Sequence, residues 1–315
     1  EKHSMTFDKS RKTILVVDDE PEIREMMSDY LRDSQGYRVL NAGNGREALD
    51  TMIGKEHIDL ILSDINMPVM KGFDFLSEVR KSHPQIKRVL ITAYNVEEYL
   101  ELAMEHEVGN IFVKTTPFDF QGLSIMLENL ISEDIFGVQR YFGGDTIRHS
   151  LKISRGDELH RDADRAISFL PKGYVRQRLG LVLLELLTNA VFYGMRKEDP
   201  KTKENWNYDF DLSPEEAIDL AVAYDKEKYA IAVTDNGGRL RKSDVLYWLH
   251  RQVARDGGGI PLGVYDFHGR GFFIARKYID RLIVNIAEGK KTEVIIINYL
   301  KNTRSGSKPL CINEL

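Results

Sequence analysis

The sequence predicts an α/β protein of two units, and three observations predict it. Short apolar runs of strand length alternate with amphipathic helical segments through residues 11–131. At 315 residues the chain exceeds what one ordinary core accommodates. From residue 147 the pattern changes to alternating strands joined by tight turns, with one strongly apolar helix among them.

In the first half, Thr13–Val17 is a continuous apolar run, the mark of a strand buried on both faces. Pro21–Leu31 is amphipathic and opens on a proline, which suits a helix start. Tyr37–Leu40, Ile58–Ser63, Arg88–Thr92 and Asn110–Val113 read as further strands. Helical patterns over Gly45–Ile53, Gly72–Lys81, Val96–His106 and Phe118–Ile131 separate and follow them, with Phe73, Leu76 and Val79 at core spacing in the second of these. Five βα units imply a parallel sheet covered on both faces. The segment 132–146 carries Ile135, Phe136, Val138, Tyr141 and Phe142, too many large apolar groups for a free linker. These groups read as packing on one domain or marking a dimer face, or else as a continuation of the last helix with an apolar stripe, and Gly143-Gly144 breaks the segment.

Composition narrows the function. The net charge of −5 calls for neither nucleic acid nor an anionic membrane. One cysteine, Cys311, excludes an internal disulfide framework and fits a reducing compartment. No apolar run approaches the roughly 18–20 residues of a membrane span, and no secretory leader is evident. Glu1-Lys2-His3-Ser4 ahead of Met5 reads as a remnant of recombinant expression. A cytoplasmic location is expected.

The chemistry of the first half sits at strand ends, where open α/β sheets gather ligands. Asp18 and Asp19 follow strand one, Asp64 ends strand three, Thr92 ends strand four and Lys114 follows strand five. A lone Asp after a strand is ordinarily a turn residue or helix cap; it is the ordered set that points to chemistry. Three converging carboxylates repel unless a cation joins them, and Mg²⁺ with its oxygen ligands is the natural one. A carboxylate so placed can be a nucleophile toward phosphorus, with the Thr92 hydroxyl and the Lys114 ammonium available to phosphoryl oxygens.

The motifs Val17-Asp18-Asp19-Glu20, Asp64-Ile65-Asn66-Met67-Pro68-Val69-Met70-Lys71-Gly72, Thr92-Ala93 and Lys114 make residues 11–131 resemble a bacterial response-regulator receiver domain. The resemblance implies a flavodoxin-like fold, phosphorylation on Asp64 by a cognate histidine kinase, and Mg²⁺ held by Asp18, Asp19, Asp64 and the carbonyl of Asn66. It also implies a homodimer on phosphorylation. Two departures are visible. Proline is delayed in Lys114-Thr115-Thr116-Pro117, and the family's aromatic switch position holds Ile111.

In the second half, Ile147–Ile153 is an alternating strand, Glu158–Leu170 a helix and Arg176–Tyr193 the apolar helix. Glu185 and Asn189 are spaced i, i+4 on that helix and share one face. An acid and an amide within a Leu, Val and Ala run need partners; an exposed polar stripe is the plainer reading, a metal and a nucleotide the sharper one. Residues 196–216 form a charged excursion with Trp206 and Tyr208 as anchors. Ala217–Tyr224 and Lys228–Thr234 are strands joined by a tight turn, and the second runs into Asp235-Asn236-Gly237-Gly238. A helix over Asp244–Val253 precedes Gly257-Gly258-Gly259, which suits a hinged lid. Gly269-Arg270-Gly271 opens a helix over Phe272–Ile279, a place where backbone N–H groups approach phosphate. Arg281–Ala287 and Thr292–Tyr299 form a hairpin, and residues 301–315 read as a loosely held tail.

The order Glu185-x-x-x-Asn189, Asp235-x-Gly237, Gly269-x-Gly271 makes residues 147–300 resemble the GHKL, or Bergerat-type, ATPases, among them histidine kinases and gyrase. The anti-sigma-factor serine kinases are the nearest likeness. The resemblance implies an α/β-sandwich with a mixed sheet and ATP with Mg²⁺ on Asn189. It implies Glu185 as base, Asp235 on the adenine amino group, Gly237 near the base, Gly269 and Gly271 at the phosphates, and Thr292 near the adenine. Arg239 stands where the family often has a second glycine. No pair of long helices bearing a phosphoacceptor histidine precedes this half, and His149 and His160 read as structural. The expected whole is a regulator in which phosphorylated Asp64 controls an ATP-dependent serine or threonine kinase. Its partner would be an anti-sigma-factor antagonist or a sigma factor. A non-catalytic protein-binding module and an atypical histidine kinase are the alternatives.

Overall fold

The computed structural model describes residues 8–197, 207–265, 270–301 and 306–315. The chain divides into two compact units, Glu1–Ile135 and Phe136–Leu315.

In the first unit, β1 (Thr13–Val17) and β3 (Leu60–Asp64) are buried at every position. They form a wholly parallel sheet with β2 (Arg38–Ala42), β4 (Lys87–Thr92) and β5 (Asn110–Val113), in the order β2-β1-β3-β4-β5. Continuous Val, Ile and Leu runs become central strands because helices cover both faces and leave no polar side to alternate with. The helix α1 (Pro21–Asp29) begins on its proline and continues as a π-helical turn, Tyr30–Ser34. Asn44 caps α2 (Gly45–Thr51) by accepting from the Glu47 N–H. The helix α3 (Gly72–Ser82) buries Phe73, Phe75, Leu76 and Val79. The predicted helix 96–106 divides into a 3₁₀ turn, Val96–Tyr99, and the short α4 (Leu100–Glu105). Asp119 caps α5 (Phe120–Ser132).

The expected continuation of this last helix does not occur. Glu133 adopts a left-handed conformation (φ 57°) and stops α5. The apolar residues beyond it bury singly: Ile135 in the first unit, then Val138 and Tyr141 in a 3₁₀ turn, Val138–Tyr141, of the second.

The second unit is a mixed sheet with helices on one face. Its strands are β6 (Ile147–Ile153), β7 (Ile218–Tyr224), β8 (Lys228–Asp235), β9 (Arg281–Ala287), β10 (Lys291–Tyr299) and β11 (Leu310–Glu314). The order is β11-β9-β10-β8-β7-β6, antiparallel except for the parallel β9–β11 pair. The helices α6 (Leu159–Ser168), α7 (Leu179–Asn189), α8 (Lys242–Val253) and α9 (Gly271–Tyr278) pack as α6–α7–α9–α8. The helix α7 runs on as a π-helical turn, Ala190–Met195.

The expectation of a loosely held tail fails. Leu310, Cys311 and Ile312 are buried in β11, and Arg276 at 4% exposure donates to the carbonyls of Lys308 and Pro309. Burial pushes the Cys311 thiol up to about 11. Trp206 lies outside the described residues, while Tyr208 packs edge-on against Phe192 at 4.9 Å. The His149 ring stacks on Phe169 at 4.3 Å, in keeping with a structural histidine.

Candidate functional site

Strand register assembles the first site. Val17 pairs with Ser63, so Asp18 emerges beside Asp64, at the point where the strand order reverses. Asp64 pairs with Ile91 and Thr92 with Val113, which brings Thr92 and Lys114 to the same edge. The Lys114 ammonium donates to Asp18 Oδ2 at 2.8 Å and lies 2.6 Å from Asp64 Oδ1. Asp64 Oδ2 accepts from the Asn66 N–H at 2.6 Å, and Thr92 Oγ1 accepts from the Tyr94 N–H at 3.0 Å. Burial works against charge on Lys114, but its two carboxylate partners outweigh this and raise its pKa. Burial also raises the pKa of Asp18, more than Lys114 lowers it, and the charge of Asp64 adds to the rise. The ammonium is shared, so it gains two partners while each carboxylate gains only half of one.

The expected trio of carboxylates is a pair here. Asp18 is fully buried and Asp64 nearly so, whereas Asp19 turns to solvent. Among the described residues no three His, Cys, Asp or Glu side chains gather to hold a metal. The pair nonetheless leaves one negative charge uncompensated by Lys114, with Glu20 a further 3.7 Å away from the ammonium. An excess of oxygen donors of this kind fits a hard divalent cation. The Asn66 side chain donates to the Tyr99 hydroxyl at 2.7 Å, a contact that only a Tyr in the predicted helix 96–106 hinted at. Ile111, at the expected switch position, is fully buried.

The second site is a cavity of about 340 Å³ in the second unit. Its apolar walls include Leu186, Val233, Leu240 and Phe272, and Asn189, Asp235, Gly271 and Thr292 also line it. Thr292 is opposite Asp235 in the β8–β10 register. Asp235 Oδ1 accepts from the Gly237 and Gly238 N–H groups at 3.0 and 3.2 Å. Burial pushes the Asp235 carboxyl up to about 6 despite these two donors. The Thr292 hydroxyl is buried without a hydrogen-bond partner. Glu185 and Asn189 meet the first turn of α9: a Cβ on Gly271 would stand 2.9 Å from Asn189 Nδ2 and 3.4 Å from Glu185 Oε2. Gly269 lies outside the described residues.

Gly194 is a site residue that the motifs did not reveal. A Cβ there would stand 2.7 Å from Asp235 Cγ, and one on Gly237 would fall 2.1 Å from the Gly194 carbonyl oxygen. The π-helical turn after Asn189 brings Gly194 to this position, and such turns occur often at functional sites. Trp248 and Asp244 of α8, Tyr193, Lys197 and Arg239 also line it. The glycine-rich stretch 257–259 is a built turn: Asp256 accepts from the Gly258 and Ile260 N–H groups and from the Tyr265 hydroxyl.

A sequence profile of the response regulator receiver domain matches residues 14–127. Residues 14–127 form a receiver domain. This is the phosphorylation-regulated module of two-component signalling. Among curated relatives, the sensor kinase CckA of Brucella abortus is 42% identical over 124 residues, covering 38% of this chain and 13% of that protein. The regulatory protein AtoC of Escherichia coli is 34% identical over 118 residues, covering 38% and 25%. The transcriptional regulatory protein MalR of Bacillus subtilis is 26% identical over 116 residues, covering 37% and 48%. The chain thus spans less than half the length of each. Among solved structures, a CheY-like receiver domain from Methanospirillum hungatei is 28% identical with a TM-score of 0.36, covering 39% of this chain and 94% of its own. TrrA of Thermotoga maritima, solved with Mg²⁺ and BeF, is 36% identical with a TM-score of 0.32, covering 36% and 96%. Among the described residues no helix is long and apolar enough to cross a membrane.

Proposed function

We propose that the chain is a phosphorylation-gated signalling regulator whose receiver domain controls an ATP-binding output unit of the GHKL type. In the first unit, an Asp64 carboxylate oxygen attacks the phosphorus of a phosphohistidine on a cognate kinase. The P–N bond breaks, and an aspartyl phosphate forms. Lys114, already against Asp64, pairs with one phosphoryl oxygen, and the Thr92 hydroxyl donates to another. Mg²⁺, held by Asp18, Asp19, Asp64 and the Asn66 carbonyl, would supply neutralisation of the developing charge.

The observation that carries the reading of the second unit is the Asp235–Thr292 pair. An acceptor carboxylate and an unpartnered buried hydroxyl stand opposite each other at the wall of a mostly apolar cavity. A planar heterocycle with an exocyclic amino group satisfies both, as adenine does. Asn189 would hold the Mg²⁺ of the nucleotide, Gly271 would sit beside the phosphates, and Glu185 would take the proton of an attacking hydroxyl. By resemblance, the output is serine or threonine phosphorylation of an anti-sigma-factor antagonist, or capture of a sigma factor.

A second reading keeps the ligand and drops the transfer. Arg239 lines the cavity where the resembled family often has glycine, which suits a nucleotide-dependent binding module without turnover. Calorimetry with ATP and Mg²⁺ tests the shared part. Phosphate release in wild type and its loss in Glu185→Ala separate the two, since a binding module shows neither.

A further inference from the structure

Glu293 is 4% exposed, in the middle of the second unit's sheet. A buried carboxylate needs donors to replace water. It accepts from the Gly137 N–H with both oxygens, at 3.1 and 2.9 Å. It accepts from Asn285 Nδ2 at 3.0 Å on β9 and from the Thr234 hydroxyl at 3.4 Å on β8. These donors are all neutral. Gly137 belongs to the segment that follows α5 after only a few residues, and its φ of +99° is open to glycine and strained for other residues.

The same segment holds to this face of the sheet at further points. Phe136 lies under the Lys291 ammonium at 4.6 Å, Phe142 near Lys228 at 5.3 Å, and the Val138–Tyr141 turn packs on β7 and β8. Side chains alternate across a strand. On β10, Thr292 and Val294 line the cavity and Glu293 between them faces away. On β8, Val233 and Asp235 line it and Thr234 faces away. The Glu293–Thr234 contact therefore stands directly behind the Thr292–Asp235 pair, one residue along each strand.

We propose that Glu293 is a positioning residue that fastens the segment 136–142 to the back of the cavity wall, so that a change in the chain leaving the receiver domain reaches the β8–β10 pair through Gly137. If the phosphorylated receiver alters the course of the chain after α5, the pull on Gly137 acts on Glu293. The register contact that sets the spacing of Asp235 and Thr292 moves with it. The chemistry of the ligand plays no part in this coupling. The proposal rests on the phosphoacceptor reading of Asp64 but not on ATP being the ligand.

The test is amide hydrogen exchange on the full chain, with and without Mg²⁺ and beryllofluoride as the phosphoryl probe. In wild type, beryllofluoride should change exchange in segments 60–66 and 92–94 of the receiver and also in 228–235 and 291–299. In Glu293→Gln, which removes the charge and replaces one of the two oxygens facing the Gly137 N–H by an amide donor, exchange at Gly137 should rise about tenfold or more. The receiver response should persist and the β8–β10 response should disappear. Glu293→Asp, which keeps the charge but withdraws it from Gly137, gives the same separation if the glutamine variant does not fold. A β8–β10 response that survives either variant once Gly137 is released overturns the coupling. So does a wild-type receiver response with silent strands. Silence at the receiver itself overturns the phosphoacceptor reading, and the coupling with it.

Discussion

The Asp235→Asn substitution preserves the shape of a side chain that is 5% exposed while removing its charge. Its Oδ1 acceptor toward Gly237 and Gly238 is retained by the amide oxygen; Oδ2 becomes an NH₂ donor. A ligand amino group that met an acceptor would then meet a donor. A hydrogen bond to a charged group contributes about 1.5–3 kcal/mol, so affinity for ATP should fall by roughly 10- to 150-fold. Stability should move the other way. In wild type the carboxyl titrates at about 6 in the folded chain against 3.8 when solvated. The native state therefore holds a proton that the unfolded state has lost between those pH values. Stability from this group is fully present below pH 3.8 and declines as pH rises through 6, by at most about 3 kcal/mol. Asn has no such decline. Both tryptophans, Trp206 and Trp248, belong to the second unit, so urea unfolding followed by their fluorescence reads that unit selectively. Wild type should lose stability between pH 4 and 7, and Asp235→Asn should lose less across the same range, by up to about 3 kcal/mol, while binding ATP poorly in calorimetry. Unchanged affinity would refute the recognition argument. An unchanged pH slope would refute the assignment of the buried titration to Asp235.

Other outcomes follow from the same geometry. Thr292→Val replaces an unpartnered buried hydroxyl with a methyl of similar size, so the ligand-free unit should gain about 1 kcal/mol in urea unfolding while ATP affinity drops about five- to tenfold. Asp64→Asn should take up no phosphoryl group from acetyl phosphate, read by intact mass, where wild type takes up one. Ending the chain after Ser307 removes β11 and its buried Leu310, Cys311 and Ile312, and should destabilise the second unit by on the order of 4–8 kcal/mol in the same fluorescence assay.

The receiver was legible because its chemistry is tied to strand ends. Continuous apolar runs mark strands covered on both faces, and the carboxylate, hydroxyl and ammonium follow those runs directly in sequence. What the runs do not carry is how deeply two adjacent acids lie: Asp18 is fully buried, whereas Asp19 is exposed. The end of α5 was hidden because Glu133, not glycine, takes the left-handed conformation that stops it. The strand β11 was hidden because three apolar residues near a terminus carry no periodicity; their strand exists through pairing with β9, a long-range contact. In the cavity, Asn189, Asp235, Gly271 and Thr292 were named through the family resemblance that the order of the motifs carries. Gly194 and Trp248 reach it only because a π-helical turn and the packing of α8 bring them there.

We propose that the second unit binds ATP with Mg²⁺ in the cavity between α7, α9 and the β8–β10 pair, under receiver control, and the deciding measurement is calorimetry of the full chain and of Asn189→Ala, each with and without beryllofluoride on the receiver. Saturable binding in wild type, its loss in Asn189→Ala, and a wild-type affinity that changes when beryllofluoride is added are the expected results. No binding in any state, or equal binding in Asn189→Ala, would contradict it.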